Sequence, residues 1–218
     1  MADINNPVAY SPEIKKRISD FLSRADLKST DWGEDDIQDI RKLIRNYYRN
    51  LTKKCIYCRN EISIRSVKNC HVEHIIPKSK YLGFMFEPKN LCVICSDCNE
   101  IKNNKEATGT LEEVVKGRKT IKLYPRSSDR FLVVHPHFDN YEEHIRKIGD
   151  IYIDLSTKGS YTIHICELNR KLHKDGLESM ALTRSQLFDL FNEIMTCNNY
   201  TREFILMNKL KEYIIRAS

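Results

Sequence analysis

Two pairs of cysteines with the same spacing constrain this chain more than any other feature of its sequence. The four residues are Cys55 and Cys58 in "CIYC" and Cys95 and Cys98 in "CSDC", and 36 residues separate the two pairs. Four thiolates at these spacings are the ligand set of a closed, tetrahedral structural zinc site. The long separation predicts that a structural unit is inserted between the two halves of the site.

Cys92 leaves an alternative open, because Cys92 and Cys95 also form a CxxC pair. Cys92 lies inside "NLCVI", which is typical of a strand, so we prefer Cys95 and Cys98 as ligands. Buried free cysteines are the competing interpretation of the whole set.

The remaining composition predicts a cytoplasmic protein that does not enter a membrane. The first residues, "MADINNPVAYSPEIKK", show no apolar stretch behind a basic start, and no apolar run is long enough to span a bilayer. In a reducing compartment, clustered cysteines favour metal binding over disulfides; of the eight cysteines, Cys70, Cys92, Cys166 and Cys197 are most simply structural thiols. The net charge of +6 is a mild bias towards polyanions and decides little.

Hydrophobic periodicity predicts helices on both sides of the cysteine-rich region. They cover residues 12–27, 33–51, 183–197 and 201–216. The second helix also carries a basic run, which is Arg41, Lys42, Arg45 and Arg49. Such a run is usually a solvated face, and contact with DNA is the alternative.

The region after the cysteines is mixed. "DIYIDL" and "SYTIHI", joined by "STKG", indicate a β-hairpin, and "TIKLY" is a possible further strand. A short helix is expected after Asp139, because Asp139 and Glu142 have the spacing of a capping box. These elements predict an α+β protein in three segments, 1–51, 52–108 and 109–218.

The stretch "HVEHIIPKSK" lies between the cysteine pairs and places Glu73 next to His74. Neighbours in a strand point to opposite sides, so both can serve one site only at a strand end. Pro77 cannot donate to a β-ladder, so the strand should end just before it. A loop, the strand "LCVI" and a helix beginning near Ser96 follow, with Asn99 in the first turn of that helix.

This order of strand, loop, strand and helix resembles the HNH, or ββα-metal, nucleases. The resemblance rests on "EHIIPKS", on Asn90 in "NLCVIC", on Asn99 in "CSDCNEIKNNK" and on the cysteine pairs. It covers residues 55 to about 105. Glu73 stands where aspartate is commoner, and Asn99 stands where a histidine often closes the pattern. The resemblance implies a central zinc-bound ββα-metal core, flanked by N- and C-terminal helical segments and a small β-hairpin.

The resemblance also implies roles. His74 would be the general base that activates water, Glu73 and Asn99 would hold one catalytic Mg²⁺ or Mn²⁺, and Asn90 would support the loop between the strands. A neutral histidine can accept a proton near pH 7, and oxygen donors suit Mg²⁺. Four nearby lysines are candidates for contact with the nucleic-acid backbone: Lys78, Lys80, Lys102 and Lys105. His71 could orient the site, contact phosphate or be structural.

We therefore expect a metal-dependent endonuclease that acts on DNA. The segment "YEEHIRKIGDIYIDLSTKGSYTIHICELNRKLH" resembles, more loosely, the HNH subunits of Septu-type and retron-associated antiphage systems. That resemblance implies a partner protein, an ATPase. Two alternatives stay open: a zinc-stabilised nucleic-acid-binding module without catalysis, and a nuclease directed at RNA, including tRNA.

Overall fold

The computed structural model describes residues 2–63, 65–107, 114–116, 122–170, 184–199, 201–203, 205–207 and 210. The chain divides into two units, Met1–Leu168 and Asn169–Ser218. Within the described residues, the first unit contains helices and two small antiparallel sheets, which confirms the predicted α+β class, and the second unit contains helices.

Two helices precede the cysteine-rich region. Helix α1 spans Pro12–Leu22, shorter than predicted, and begins where the Ser11 hydroxyl accepts a hydrogen bond from the Ile14 N–H. Helix α2 spans Gln38–Thr52 and ends at Lys53, which adopts the left-handed conformation with a φ of 56°. On the apolar face of α2, Ile40, Ile44 and Tyr48 are fully buried while Leu51 near its end is 47% exposed, so most of the hydrophobic periodicity of this segment is used within the unit.

The segment between the cysteine pairs forms the predicted strand, loop, strand and helix. Strand β1 is His71–His74 and strand β2 is Leu91–Ile94, and they pair antiparallel with Glu73 opposite Cys92. Helix α3, Ser96–Ala107, follows directly. The first cysteine pair lies on a tight turn that joins this sheet through a hydrogen bond from the Ile56 N–H to the Val93 carbonyl, 3.2 Å long.

Tyrosine hydroxyls attach the N-terminal segment and α2 to the loop between β1 and β2. The Tyr48 hydroxyl accepts from the Val8 N–H at 3.1 Å and donates to the Pro88 carbonyl at 2.6 Å. The Tyr10 hydroxyl donates to the Phe86 carbonyl at 3.1 Å. Helix α2 is thereby fixed beside the nuclease-like core.

A small β-hairpin is present as predicted, but the predicted pairing of its strands is wrong. Strand β3 is Ile145–Ile148 and strand β4 is Ile151–Asp154, and Gly149, at a φ of 59°, makes the turn between them. "DIYIDL" therefore pairs with the segment before it. "SYTIHI" instead lies in helix α4, Thr157–Ile165, which begins where the Ser156 hydroxyl accepts from the Gly159 N–H.

Two smaller predictions also differ from the structure. The helix expected after Asp139 is a single 3₁₀ turn, Tyr141–Glu143, before β3 begins. Of "TIKLY", residues 122–124 form no strand, and residues 120 and 121 lie outside the described residues.

The second unit contains helix α5, Arg184–Thr196, close to the predicted 183–197. Of the helix predicted at 201–216, residues 201–203, 205–207 and 210 are helical and the others lie outside the described residues. None of the helices in the described part of the chain is long and apolar enough to cross a membrane.

Candidate active site

The structure brings the two cysteine pairs together. The sulfur atoms of Cys55, Cys58, Cys95 and Cys98 all lie within 4.8 Å of one another, and all four residues are buried. We call this group the cysteine cluster. The Cys58 and Cys95 sulfurs are 3.7 Å apart. A tetrahedral zinc with Zn–S bonds of about 2.3 Å needs sulfur–sulfur distances of about 3.8 Å, so the group fits zinc.

Local backbone geometry presents the first cysteine pair. The Cys55 N–H donates to the Asn60 carbonyl and the Arg59 N–H donates to the Cys55 carbonyl, both at 2.9 Å. Arg59 closes the turn in the left-handed conformation, at a φ of 59°. The hydrogen bond with the Cys55 thiol lowers the pKa of Cys58, which favours its thiolate form. Cys92 lies outside the cluster, in β2.

Glu73, His74 and Asn99 line one cavity of about 360 Å³. Its walls come from α2, β1, α3 and the loop that follows β1. His74 is the last residue of β1, which is how two neighbouring side chains reach the same cavity. The three residues predicted to carry the chemistry therefore share a site, which we call the HNH pocket.

The Glu73 carboxylate is buried and held from two sides. Its Oε1 accepts a hydrogen bond from the Tyr57 hydroxyl at 3.0 Å and another from the Lys102 ammonium. Lys102 also donates to the His74 carbonyl at 2.8 Å. A buried carboxylate is costly unless it is paired and hydrogen-bonded, and this one is both. Both donors use Oε1, which leaves Oε2 as the oxygen for a ligand in the pocket.

The structure assigns the tautomer of His74. Its Nε2 lies 3.1 Å from the Met85 carbonyl, which can only accept, so Nε2 carries the proton and the lone pair is on Nδ1. Burial, followed by the charge of Lys78, lowers the pKa of His74 to about 3, so the ring is neutral near pH 7. The Trp32 ring packs edge-on against the imidazole with the centroids 4.6 Å apart.

The two asparagines differ in their surroundings. Asn90 is fully buried and holds the loop after β1: its Oδ1 accepts from the Ile76 N–H at 2.7 Å, and its Nδ2 donates to the carbonyls of Ile76 and Phe84. Asn99 makes a backbone bond to the Cys95 carbonyl, while its side chain has no hydrogen bond within the described residues. The Asn99 amide oxygen is therefore available to a ligand.

Residues 55–105 match the family model described as HNH endonuclease. Comparison with curated proteins found the Septu protein PtuB of Bacillus thuringiensis, which is 23% identical over 166 residues. The aligned part covers 76% of this chain and 52% of PtuB, so the chain spans about half the length of the curated relative it matches. No match was found among solved structures.

The four lysines predicted to contact nucleic acid occupy different places around the HNH domain. Lys78 is half-buried and lines the pocket, whereas Lys80 is exposed and lies outside the lining. Lys102 lines the pocket but differs from the expectation of a free phosphate contact, because it is buried and its charge is used by Glu73. Lys105 donates to the last carbonyls of α4, at His164 and Ile165.

His71, whose role the sequence left open, lines the pocket, with its Nε2 3.1 Å from the Lys68 carbonyl. Sequence reasoning missed other residues in or beside the pocket. Trp32 and Tyr57 were given no role. Tyr57 lies between the proposed ligands Cys55 and Cys58 in the sequence, and this position already places it close to the cysteine cluster. Arg41 and Arg45 also line the pocket. The only indication of this in the sequence was that they belong to the basic run on α2.

Proposed function

We propose that the protein is a metal-dependent HNH endonuclease that hydrolyses phosphodiester bonds in DNA. One observation carries the proposal: a neutral histidine with a free Nδ1 shares a pocket with a buried carboxylate and an unpaired amide. These are the groups that hydrolysis of a phosphodiester requires, namely a base for water and oxygen ligands for a hard cation. A binding module without catalysis has no need to keep all three together.

Each residue of the pocket then has a task. His74 accepts the proton of the attacking water at Nδ1, while the Met85 carbonyl and the Trp32 ring hold the imidazole in place. Glu73 and Asn99 would hold Mg²⁺ or Mn²⁺, which offsets the charge on the leaving oxygen when it is bound. Tyr57 fixes the orientation of the Glu73 carboxylate.

The cysteine cluster would hold zinc in a structural role. Four thiolates fill the coordination sphere of a tetrahedral zinc and leave no position for water or substrate. Zinc in this cluster would therefore join the turn around Cys55 and Cys58 to the start of α3 without taking part in hydrolysis.

The test is incubation of purified protein with plasmid, single-stranded DNA and RNA, each in Mg²⁺, Mn²⁺ or EDTA, next to His74→Ala. Cleavage of DNA that needs the cation and His74 supports the proposal. Cleavage of RNA alone would identify RNA, and not DNA, as the substrate. Binding without cleavage in every cation supports the non-catalytic module instead.

We further propose that the protein is the nuclease subunit of a cytoplasmic antiphage complex with an ATPase partner. The similarity to PtuB and the looser resemblance of the segment after the nuclease domain support this proposal. Apart from Leu51, the apolar side chains of α1 and α2 are at least partly buried in the first unit, so the second unit is the surface to test first. It exposes Phe188 and Ile205, at 53% and 59%.

Affinity purification from the native cell tests the partner. We expect wild type to recover an ATPase subunit, and the double variant Phe188→Ser/Ile205→Ser to lose it. Recovery of wild type as a free monomer with full, unregulated nuclease activity would reject the complex and leave the nuclease assignment intact.

A further inference from the structure

We infer that helix α2 supplies the phosphate-binding wall of the HNH pocket, through Arg41 and Arg45, with Lys78 from the loop after β1. This inference rests on the proposed function, because it names how that site holds the backbone of its substrate. Neither the HNH match at residues 55–105 nor the lysines predicted from the sequence include the two arginines.

The charge of the pocket is the first argument. Five ionised side chains line it: Arg41, Arg45, Glu73, Lys78 and Lys102. Lys102 neutralises Glu73, which leaves three cations. Within the described residues, none of these three forms an ion pair. Three uncompensated cations around one concave site favour a ligand with several negative charges.

Two other arginines of the same unit do have carboxylate partners. Arg17 lies 2.6 Å from Asp39, and Arg24 lies 2.6 Å from Glu34. The chain thus pairs some of its arginines with carboxylates, although Arg49, on α2 but outside the pocket, also forms no ion pair within the described residues. At the pocket it leaves the guanidinium groups open, as expected where the partner is a ligand.

The spacing on α2 is the second argument. Arg41 and Arg45 are four residues apart and so lie on the same face of the helix. Like charges at this spacing destabilise a helix by a small amount, which an anion between them would reverse. Arg41 is also anchored, since its guanidinium donates to the Glu34 carbonyl at 2.9 Å. A guanidinium held in this way presents its planar donor pattern to a phosphate with less loss of side-chain entropy.

The chemistry next to the arginines identifies the anion. They share a pocket with the free Nδ1 of His74 and with the oxygens of Glu73 and Asn99, which suit hydrolysis of a phosphodiester. Phosphate contacts hold a duplex in register without reading its bases. The ligand of this wall is therefore the DNA backbone on either side of the scissile bond, independent of sequence.

Binding of a fluorescein-labelled DNA duplex to the full-length, zinc-loaded protein tests the inference. EDTA at a concentration that removes Mg²⁺ but spares the zinc, as verified by elemental analysis, prevents cleavage. Fluorescence anisotropy at several KCl concentrations gives the affinity and its salt slope. Quenching of Trp32, the single tryptophan of the chain, reports occupation of the pocket itself.

The variants are Arg41→Gln, Arg45→Gln and the double variant, with Lys42→Gln as the matched control. Lys42 belongs to the same helix and basic run, but it is exposed and lies outside the pocket. Each arginine variant should reduce the salt slope by about 0.9, the value of one phosphate contact. The double variant should reduce affinity by about 10- to 100-fold, whereas Lys42→Gln should keep the wild-type slope and the Trp32 response.

Two results would overturn the inference: arginine variants that bind like Lys42→Gln, or wild type that does not bind the duplex. If the arginine variants behave like Lys42→Gln while wild type cleaves DNA, only the role of α2 is lost. Binding that depends on the arginines, without cleavage in any cation, keeps the inference and removes the nuclease. Melting temperatures equal to wild type establish that the variants are folded.

Discussion

Replacement of Lys102 by methionine removes the positive charge from the buried Glu73 carboxylate. The two side chains are 4% and 8% exposed, so water cannot take the place of the ammonium. The variant also loses the hydrogen bond to the His74 carbonyl. Removal of one partner from a buried ion pair costs roughly 3–5 kcal/mol, because the other charge stays buried and unpaired. That is a large part of the total stability of an ordinary domain, about 5–15 kcal/mol.

A double-mutant cycle separates the ion pair from the loss of packing. Lys102→Met and Glu73→Gln should each destabilise the protein, while the double variant contains neither buried charge. We expect the double variant to lose less than the sum of the single losses, by about 2 kcal/mol. Urea denaturation of zinc-loaded protein at pH 7 measures the three free energies. Lys105→Met is the control, since its partner Glu167 is 52% exposed and such pairs contribute about 1 kcal/mol or less.

Melting temperatures in the presence of a divalent cation provide a second test of this ion pair, one that does not require nuclease activity. If Glu73 is a ligand of the catalytic cation, Lys102→Met exposes it to that cation without a competing ammonium. MgCl₂ should then raise the melting temperature of Lys102→Met more than that of wild type, and should not affect the double variant. Saturation to 100 times the dissociation constant stabilises the folded state by about 2.7 kcal/mol. Two results would refute the coupling of Glu73 and Lys102. One is a Lys102→Met variant as stable as Lys105→Met; the other is a double variant whose loss of stability equals the sum of the two single losses.

Three further predictions concern the metal, the base and pH. Elemental analysis should find one zinc per chain, and its removal or Cys58→Ser should unfold the nuclease domain; a folded, active protein without zinc would contradict this. His74→Ala should reduce cleavage about 10²- to 10⁴-fold with unchanged zinc content, and full activity would remove His74 as the base. Burial lowers the pKa of His137 to about 4 from about 6.5 in the unfolded chain, so its contribution to stability is complete above pH 6.5 and is lost as pH falls towards 4. On this account His137 alone lowers the free energy of unfolding, measured by urea denaturation, by about 2 kcal/mol between pH 7 and pH 5; the observed loss should be at least that large, because the pKa of His74 is also lowered, and equal values would contradict it.

The order of elements in the core could be predicted because local rules determine it. Pro77 ends the first strand, and the spacing of the cysteines limits what fits between them. The selection of Cys95 and Cys98 over Cys92 followed from the strand pattern of "NLCVI". In each case the signal and the structure it specifies lie within a few residues of each other, so tertiary contacts had little opportunity to override the pattern.

Helix α4 shows where this reasoning fails. Its β-branched residues favour a strand, and Gly159 in "STKG" was interpreted as a turn glycine. In the structure the Thr162 hydroxyl accepts from the buried Val134 N–H at 2.8 Å. Gly159 lies so close to the His144 carbonyl that a Cβ would meet the oxygen at 1.9 Å. Glycine is needed for helix packing here, and long-range contacts of this kind are not visible in local sequence.

The phosphate contact predicted for Lys102 was wrong for a different reason, because the sequence did contain a signal for its pairing with Glu73. Lys102 follows Cys98 by four residues on α3, so both lie on one face of the helix. Because Cys98 must face the buried cysteine cluster, a lysine on the same face points inwards and requires a buried anion. Glu73 was the nearby carboxylate already assigned to the site. The pairing could therefore have been predicted from helix periodicity and the metal-ligand assignment together.

The same periodicity explains why the cysteine cluster and the HNH pocket form one unit. The turn that carries Cys55 and Cys58 also carries Tyr57, whose hydroxyl orients the Glu73 carboxylate. Helix α3 begins at the second cysteine pair and carries Asn99 in its first turn. A segment of about 50 residues rarely buries enough apolar surface to fix such positions alone, so zinc in the cysteine cluster would add rigidity to that supplied by the flanking segments. Tyr141, from the segment after the domain, donates to the Tyr57 carbonyl at 2.8 Å and holds the same turn from the other side. Disturbance of either support should misplace Glu73 before it affects His74, which is held separately by the Met85 carbonyl and Trp32.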